Sequence, residues 1–278
     1  MLKNNYHTHM KYCNHAKGMV IDYVKMASSL NMEELGMTDH APVLDDFLSS
    51  LDYDRNYGSD NMKLEQVDDY LNQIEECRML YPNLKIYSGF ESEFLEDHEN
   101  FYRFLRNKVD YMNLGIHFFK YNGKVINTYE DMTEDTLKGY VKNVENALKS
   151  GIFNTLCHPD LFMFDYKDKF GNHEFDNACR LAAHEICKLA IKYDVYLEVN
   201  CNGFRYVKDY NNKKEWKYPY PDFWLIAKEY PVKIILGCDA HEPEALCNQN
   251  VDLAIKFTRD LGLNVLERMV IKDGNKDK

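Results

Sequence analysis

No apolar run in this 278-residue chain approaches the length needed to cross a bilayer; residues 232–237 are typical of the longest. The first residues, Met1-Leu2-Lys3-Asn4-Asn5, have no apolar h-region, so no secretory signal is expected and the chain reads as cytoplasmic, with no membrane partner. The eight cysteines (13, 77, 157, 179, 187, 201, 238 and 247) include no C-x-x-C pair, which excludes zinc-finger spacing. In a reducing compartment they are expected to be free thiols, mostly buried small hydrophobes. Basic residues are outnumbered, 34 against 45 acidic ones, and the net charge is −11. A surface of that sign repels phosphate backbones and argues against a nucleic-acid partner. A small anion can be held only where local positive charge overrides that field, and bound metal ions would supply it. Low-complexity tracts, long like-charge blocks and linkers are absent too, so residues 1–278 read as one domain.

What is present is the composition of a globular protein, 45% hydrophobic and 28% charged, in a chain long enough to bury a sizeable core. Strand and helix patterns alternate along it. Strands are expected over 4–9, 34–38, 84–91, 111–117, 154–158, 195–200 and 232–238. Helices are expected over 19–31, 62–80, 98–107, 134–149, 175–193, 221–229 and 244–261. In the first helix Val20, Tyr23, Val24, Ala27 and Leu30 share one face. Seven apolar strands joined by helical crossovers indicate an α/β fold with a parallel sheet, either open or closed into a TIM-like barrel.

The placement of the ten histidines favours the barrel. His7 and His9 end the first expected strand and His40 the second. Glu91 ends the third, His117 the fourth, His158 the fifth, and Asp239 with His241 the seventh. The strand ends of a parallel barrel form one rim, where active sites gather. An open sheet would spread them along a line too long for one site. Residues i and i+2 of a strand point the same way, so His7 with His9, and Asp239 with His241, can each grip an ion. Imidazoles suit zinc, iron and related divalent metals, and carboxylates can bridge two ions. His98, His173 and His184 stand apart from the pattern. His184 shares a helix face with Lys188 and is expected to be solvated.

The segments around these residues are distinctive together. They are His7-Thr8-His9, Tyr12-Cys13-Asn14-His15-Ala16, Thr38-Asp39-His40-Ala41-Pro42 and Gly89-Phe90-Glu91. Gly115-Ile116-His117, Cys157-His158-Pro159-Asp160, Glu198-Val199-Asn200 with Gly203-Phe204-Arg205, Tyr218-Pro219, and Gly237-Cys238-Asp239-Ala240-His241 complete the set. From its first motif to its last, the chain resembles the PHP (polymerase and histidinol phosphatase) superfamily, closest to its histidinol-phosphate phosphatase branch. The resemblance implies a distorted seven-stranded (β/α)7 barrel with three divalent ions (zinc, manganese or iron). One ion would be held by His7, His9, Glu91 and Asp239, a second by His15, His40 and His241, and a third by Glu91, His117 and His158. The chain departs from the pattern at Cys238, where serine is usual, and after His158, where the branch often has a basic residue and this sequence has none before Lys167.

The reaction so implied is hydrolysis of a phosphate monoester, most directly L-histidinol phosphate in histidine biosynthesis. A water activated between the ions would attack phosphorus in line. Asp160 and Asp39 are candidate acids for the leaving oxygen, and each could instead orient a metal-bound histidine. Arg205 and Asn200 are candidate substrate contacts, Arg205 as a phosphate fork. Substrate choice is expected in the loops 41–61, 159–174 and 202–220. Their Asp45, Asp46, Phe47, Tyr53, Phe162, Phe164, Asp165, Phe204 and Tyr206 would suit a flat ring and an ammonium group. The alternatives are a PHP phosphoesterase acting on another small ester, on phosphotyrosine or on a nucleotide end, a related amidohydrolase, and a metal-binding regulatory protein without turnover.

Overall fold

The strand segments are short and buried along most of their length, the signature of a parallel sheet covered on both faces. The computed structural model describes residues 2–45, 47, 60–210 and 213–271. In chain order it begins with β1 (Asn4–Asn5), α1 (Val20–Ser29), β2 (Glu34–Met37), α2 (Val67–Leu80), β3 (Lys85–Ser92), α3 (Glu99–Arg106) and β4 (Tyr111–Leu114). There follow β5 (Phe118–Tyr121), β6 (Lys124–Asn127), α4 (Glu134–Lys149), β7 (Thr155–Leu156), α5 (Asn177–Tyr193) and β8 (Tyr196–Asn200). The last elements are β9 (Val207–Tyr210), β10 (Lys213–Trp216), α6 (Pro221–Ala227), β11 (Lys233–Gly237) and α7 (Gln249–Leu261).

Seven strands form one parallel sheet in the order β1-β2-β3-β4-β7-β8-β11. The sheet curls until its edges meet. Thr8, just past β1, bridges Ala240, just past β11. There the His9 amide donates to the Ala240 carbonyl at 2.8 Å and the Ala240 amide to the His7 carbonyl at 3.3 Å. The result is the nearly closed (β/α)7 barrel that the converging histidines imply. The first strand is shorter than expected: only residues 4–5 are in the ladder, and His7 and His9 stand beyond it on extended chain held by the Thr8 bridge.

The helices cover the outside. α1 buries Val20, Tyr23, Val24 and Ala27 at i, i+3, i+4 and i+7, and its Met19 amide donates to the Asp22 carboxylate at 2.8 Å. α5 starts on Asp176, whose side chain accepts from the Cys179 amide. Most buried apolar side chains join one core between sheet and helices. A second cluster, Tyr6, Tyr111, Tyr196, Ile235 and Met269, fills the barrel near its N-terminal mouth. His184 is half-buried, with Nδ1 2.9 Å from the Tyr230 hydroxyl, and is not the solvated residue its helix face suggests. The cysteines are free thiols, buried except for Cys247. Among the described residues no helix is long and apolar enough to cross a membrane.

Two antiparallel hairpins, β5–β6 and β9–β10, interrupt the alternation after β4 and β8. The first occupies residues that the sequence pattern assigns to no element, between the strand ending at His117 and the helix over 134–149; the second falls in the expected loop 202–220. Both lie on the C-terminal side of the strands and frame the opening of the barrel.

Candidate metal centre

Most of the imidazoles and acids at the strand ends meet in one buried cluster. His7 Nε2 lies 3.0 Å from His9 Nε2, and each is 3.4 Å from Glu91 Oε2. Asp239 Oδ1 is 3.0 Å from His9 Nε2 and 3.6 Å from His7 Nε2. Donors bound about 2.0–2.1 Å from one ion stand roughly 3.0–3.4 Å apart, so these separations fit a shared cation. The other oxygen of Glu91 faces a different pair, with Oε1 2.9 Å from His158 Nε2 and 3.6 Å from His117 Nε2. Glu91 is therefore shaped to bridge. On the third side His15 Nε2 is 3.0 Å from His241 Nε2, and the His40 ring stacks on His9 with centroids 4.3 Å apart. His40 Nδ1 is buried without a hydrogen-bond partner and faces Glu91 Oε2 at 3.4 Å. A buried lone pair of this kind costs about 1–3 kcal/mol unless something meets it, and a cation does.

In four of the histidines the ring nitrogen that faces away from the cluster is fixed. His7 Nδ1 meets Glu198 Oε2 at 2.8 Å, and His117 Nδ1 meets Glu93 Oε1 at 2.8 Å. His15 Nδ1 meets the Cys13 carbonyl at 2.9 Å, and His241 Nδ1 the Asp239 carbonyl at 3.0 Å. Each acceptor requires N–H at Nδ1 and so leaves the Nε2 lone pair turned inward, the ligating tautomer. The electrostatics divide the set: the anionic groups around them outweigh burial and raise His7 and His117. Burial alone would push Glu91 and Asp239 up, but the surrounding histidines hold both carboxyls well below the usual range. Burial and the charge of His9 push His241 down to about 3 and His40 well below its ordinary value, which keeps both neutral. His9 is driven the other way, to about 9, because the Asp239 and Asp39 carboxylates outweigh its burial.

Local backbone geometry differs from the simple pleat in one respect. β11 ends at Gly237, and Asp239 has φ +48°, so Asp239 and His241 converge through a turn instead of the i, i+2 alternation of a strand. His158 also sits at positive φ, +33°. Such positions cost of order 1–3 kcal/mol each and persist where the surroundings fix them. Two glycines make room. A Cβ on Gly115 would lie 2.4 Å from Glu91 Oε1, and one on Gly237 would lie 2.1 Å from Glu198 Oε2.

Above the cluster lies a pocket of about 480 Å³. Its wall includes His15, His40, Glu91, His117, Asp239 and His241 from the cluster, and Asp60, Phe118, Tyr129, Asn202, Arg205, Tyr206 and Tyr218 around them. Arg205 is exposed at its edge, 3.3 Å from Asn202 Oδ1. Asn200, Asp39 and Asp160 do not line the pocket. Asn200 is fully buried and donates to Glu198 Oε1 at 2.9 Å and to Asp239 Oδ2 at 3.1 Å. Asp39 lies behind His9, 3.8 Å from its Nδ1, and accepts from the His40 amide. Asp160 Oδ2 accepts from the Tyr220 amide at 2.6 Å and from Trp224 Nε1 at 3.0 Å, and burial pushes its carboxyl up to about 7.

Of the loop residues expected at the substrate, Tyr206 lines the pocket and Phe164 packs behind it against Tyr129, Tyr206 and Tyr218. Phe162, Phe204 and Phe47 are core instead, and Asp165 pairs with Lys167. Asp46 and Tyr53 lie outside the described residues. Sequence reasoning missed Glu93 and Glu198 behind the histidines, and Phe118, Tyr129 and Asn202 in the pocket wall. A signal existed for the two acids: Glu93 follows Glu91 by two and Glu198 precedes Asn200 by two. A charge inside an apolar parallel strand, as Glu198 is, or just past its end, as Glu93 is, is buried with a partner.

The model of the PHP domain matches residues 5–202, most of the chain. The chain belongs to the PHP family. Its curated relatives include a Deinococcus radiodurans protein named a probable histidinol-phosphatase, 28% identical over 264 residues and covering 92% of each chain. Among solved structures it is similar to a proposed histidinol phosphatase, hisK, from Listeria monocytogenes, with TM-score 0.74 and 20% identity over 90% of this chain and 99% of that one. It is also similar to the histidinol phosphate phosphatase of Lactococcus lactis, solved with zinc, L-histidinol and phosphate, with TM-score 0.68 and 17% identity over 96% of both chains. In this PHP chain the donor set of buried imidazoles and carboxylates suits divalent metal ions.

Proposed function

We propose that the protein is a metal-dependent phosphomonoesterase that hydrolyses L-histidinol phosphate to L-histidinol and phosphate in the cytoplasm. The observation that carries this reading is Glu91, whose two oxygens face two separate histidine sets at the floor of a pocket sized for a small molecule. In this reading three divalent ions (zinc, manganese or iron) are held by His7, His9, Glu91 and Asp239, by His15, His40 and His241, and by Glu91, His117 and His158. Bound there, they supply neutralisation of the phosphoryl oxygens and a water of lowered pKa.

The chain's own groups do the rest. Arg205 at the pocket edge forks onto the phosphate and orients it. Tyr129, Tyr206 and Tyr218 offer faces to an imidazole ring, and Asp60 offers a carboxylate to an ammonium group. Asp39 and Asp160 act by orientation, Asp39 behind His9 and Asp160 beneath Tyr220. Residues 1–278 act as one domain, because Asp239 and His241 come from beyond the part of the chain that the family model matches. The acidic net charge and a concave pocket whose wall, among the described residues, carries Arg205 as its one Lys or Arg side chain favour a small ester over phosphotyrosine on a protein surface.

The test is phosphate release from a panel of monoesters by protein reloaded with each metal. Histidinol phosphate should exceed phosphotyrosine in kcat/KM by at least about tenfold, since a site built for one polar partner rejects others by far more than a methylene's worth. Chelation should abolish turnover and metal should restore it. Metal-loaded protein inert on the whole panel would leave the regulatory alternative standing.

A further inference from the structure

Two ligands of the first expected ion are tied together from behind by groups that never reach the pocket. Glu198 and Asn200 sit two residues apart on β8, 1% and 0% exposed. Glu198 Oε2 accepts a hydrogen bond from His7 Nδ1 at 2.8 Å. Asn200 Nδ2 donates both to Glu198 Oε1, at 2.9 Å, and to Asp239 Oδ2, at 3.1 Å. The amide cannot be turned round, because its Oδ1 accepts from the Gly203 amide at 3.0 Å. Gly237 leaves the notch in which the Glu198 carboxylate lies.

We propose that Glu198 and Asn200 form a brace that fixes His7 and Asp239 relative to each other and thereby sets the affinity of the ion those two residues share. They are positioning residues. A buried chain in which every proton and acceptor is used has one arrangement, so it holds both ligand atoms at the spacing a cation needs without reorganisation. Glu198 also fixes the His7 tautomer, and Asn200 leaves Asp239 Oδ1 turned toward His9. The inference rests on the proposed ligand set and is independent of the substrate.

The experiment is zinc content and affinity by chelator competition for wild type, Glu198→Gln, Asn200→Leu and the double variant. Each single change should weaken one ion by about 10–100-fold and leave the others bound. The double should be no weaker than the worse single, because both act through one unit. Glu93→Gln, behind His117, should weaken a different ion, and its loss should multiply with that of Glu198→Gln. Asn200→Leu keeps the side-chain volume; if it fails to fold, Asn200→Ser serves in the cycle. Wild-type affinity in both singles, or multiplied losses in the Glu198/Asn200 double, would overturn the brace. Wild-type protein that binds zinc but leaves histidinol phosphate intact would sink the proposed reaction and not the brace.

Discussion

At the residue scale, the centre depends on a missing methyl group as much as on its ligands. Gly115→Ala would drive a Cβ to within 2.4 Å of Glu91 Oε1 and 2.7 Å of His117 Cε1. Glu91 cannot retreat far, since His7, His9 and His158 close on it from other sides. The substitution is expected to cost at least one ion per chain after dialysis, read by elemental analysis, and to lower kcat by about 10–100-fold. Full metal content with unchanged kcat would refute the bridging role of Glu91. Arg205→Ala probes the rim instead. It should raise KM for a phosphate ester by about tenfold or more with metal content intact, and unchanged kinetics would remove Arg205 from phosphate binding. The metal-ligand candidates were legible because their chemistry is rare at strand ends and their spacing is regular. Proximity to the centre is legible in a sequence and the direction of a side chain is not: Asn200, the last residue of β8, and Asp160 are buried behind the pocket wall.

At the scale of elements, the strand–helix alternation was readable from apolar periodicity, while the hairpins were not read although one announced itself. Asn122-Gly123 separates Phe118–Tyr121 from Lys124–Asn127, and with φ +50° and +75° the pair forms the two-residue turn that matches strand twist. The signal was passed over because β5 follows His117 directly, with no break to mark a new strand, and residues 118–133 fall within no expected element. The barrel's own joints have a clear electrostatic case in Asp110, which precedes β4. Its Oδ2 accepts from Arg78 of α2 at 2.5 Å and from the Ser88 amide and hydroxyl of β3 at 2.9 and 3.0 Å. Burial would raise its pKa, but the Ser88 amide and Arg78 outweigh burial and hold it below the ordinary 3.8. A depressed carboxyl stabilises fully above its unfolded pKa and loses that stabilisation as pH falls through the folded one. Asp110→Asn should therefore cost about 1.5–3 kcal/mol near neutral pH by urea unfolding, with the gap to wild type closing below about pH 4. A gap that persists undiminished at pH 3 would contradict the assignment.

For the whole molecule, the two ends of the barrel do different work, and the C-terminal segment belongs to the end without chemistry. Val265 bridges Ile234, and the Leu266 amide donates to the Ile234 carbonyl at 2.8 Å. The chain then crosses beneath the strands. The Met269 amide donates to the Tyr6 hydroxyl, the Val270 amide to the Tyr196 hydroxyl, and Asn4 Nδ2 to the Glu267 carbonyl. Arg268 pairs with Glu33 at the rim. Met269, 3% exposed, fills the space among Tyr6, Tyr111 and Tyr196, and Thr155 Oγ1 donates to its sulfur at 3.2 Å. A barrel open at both ends would admit water to the tyrosine layer that separates this mouth from the metal ligands, so the plug seals the floor on which the centre rests. Met269→Ala removes the plug's apolar body and leaves the backbone contacts able to form. It should destabilise the protein by about 2–5 kcal/mol, lowering the melting temperature by roughly 3–9 °C. Because the centre hangs from the opposite strand ends, the folded fraction at 20 °C should keep its full metal complement and its KM. A loss of metal in step with the loss of stability would mean that the two ends of the barrel are coupled and that the floor shapes the site above it.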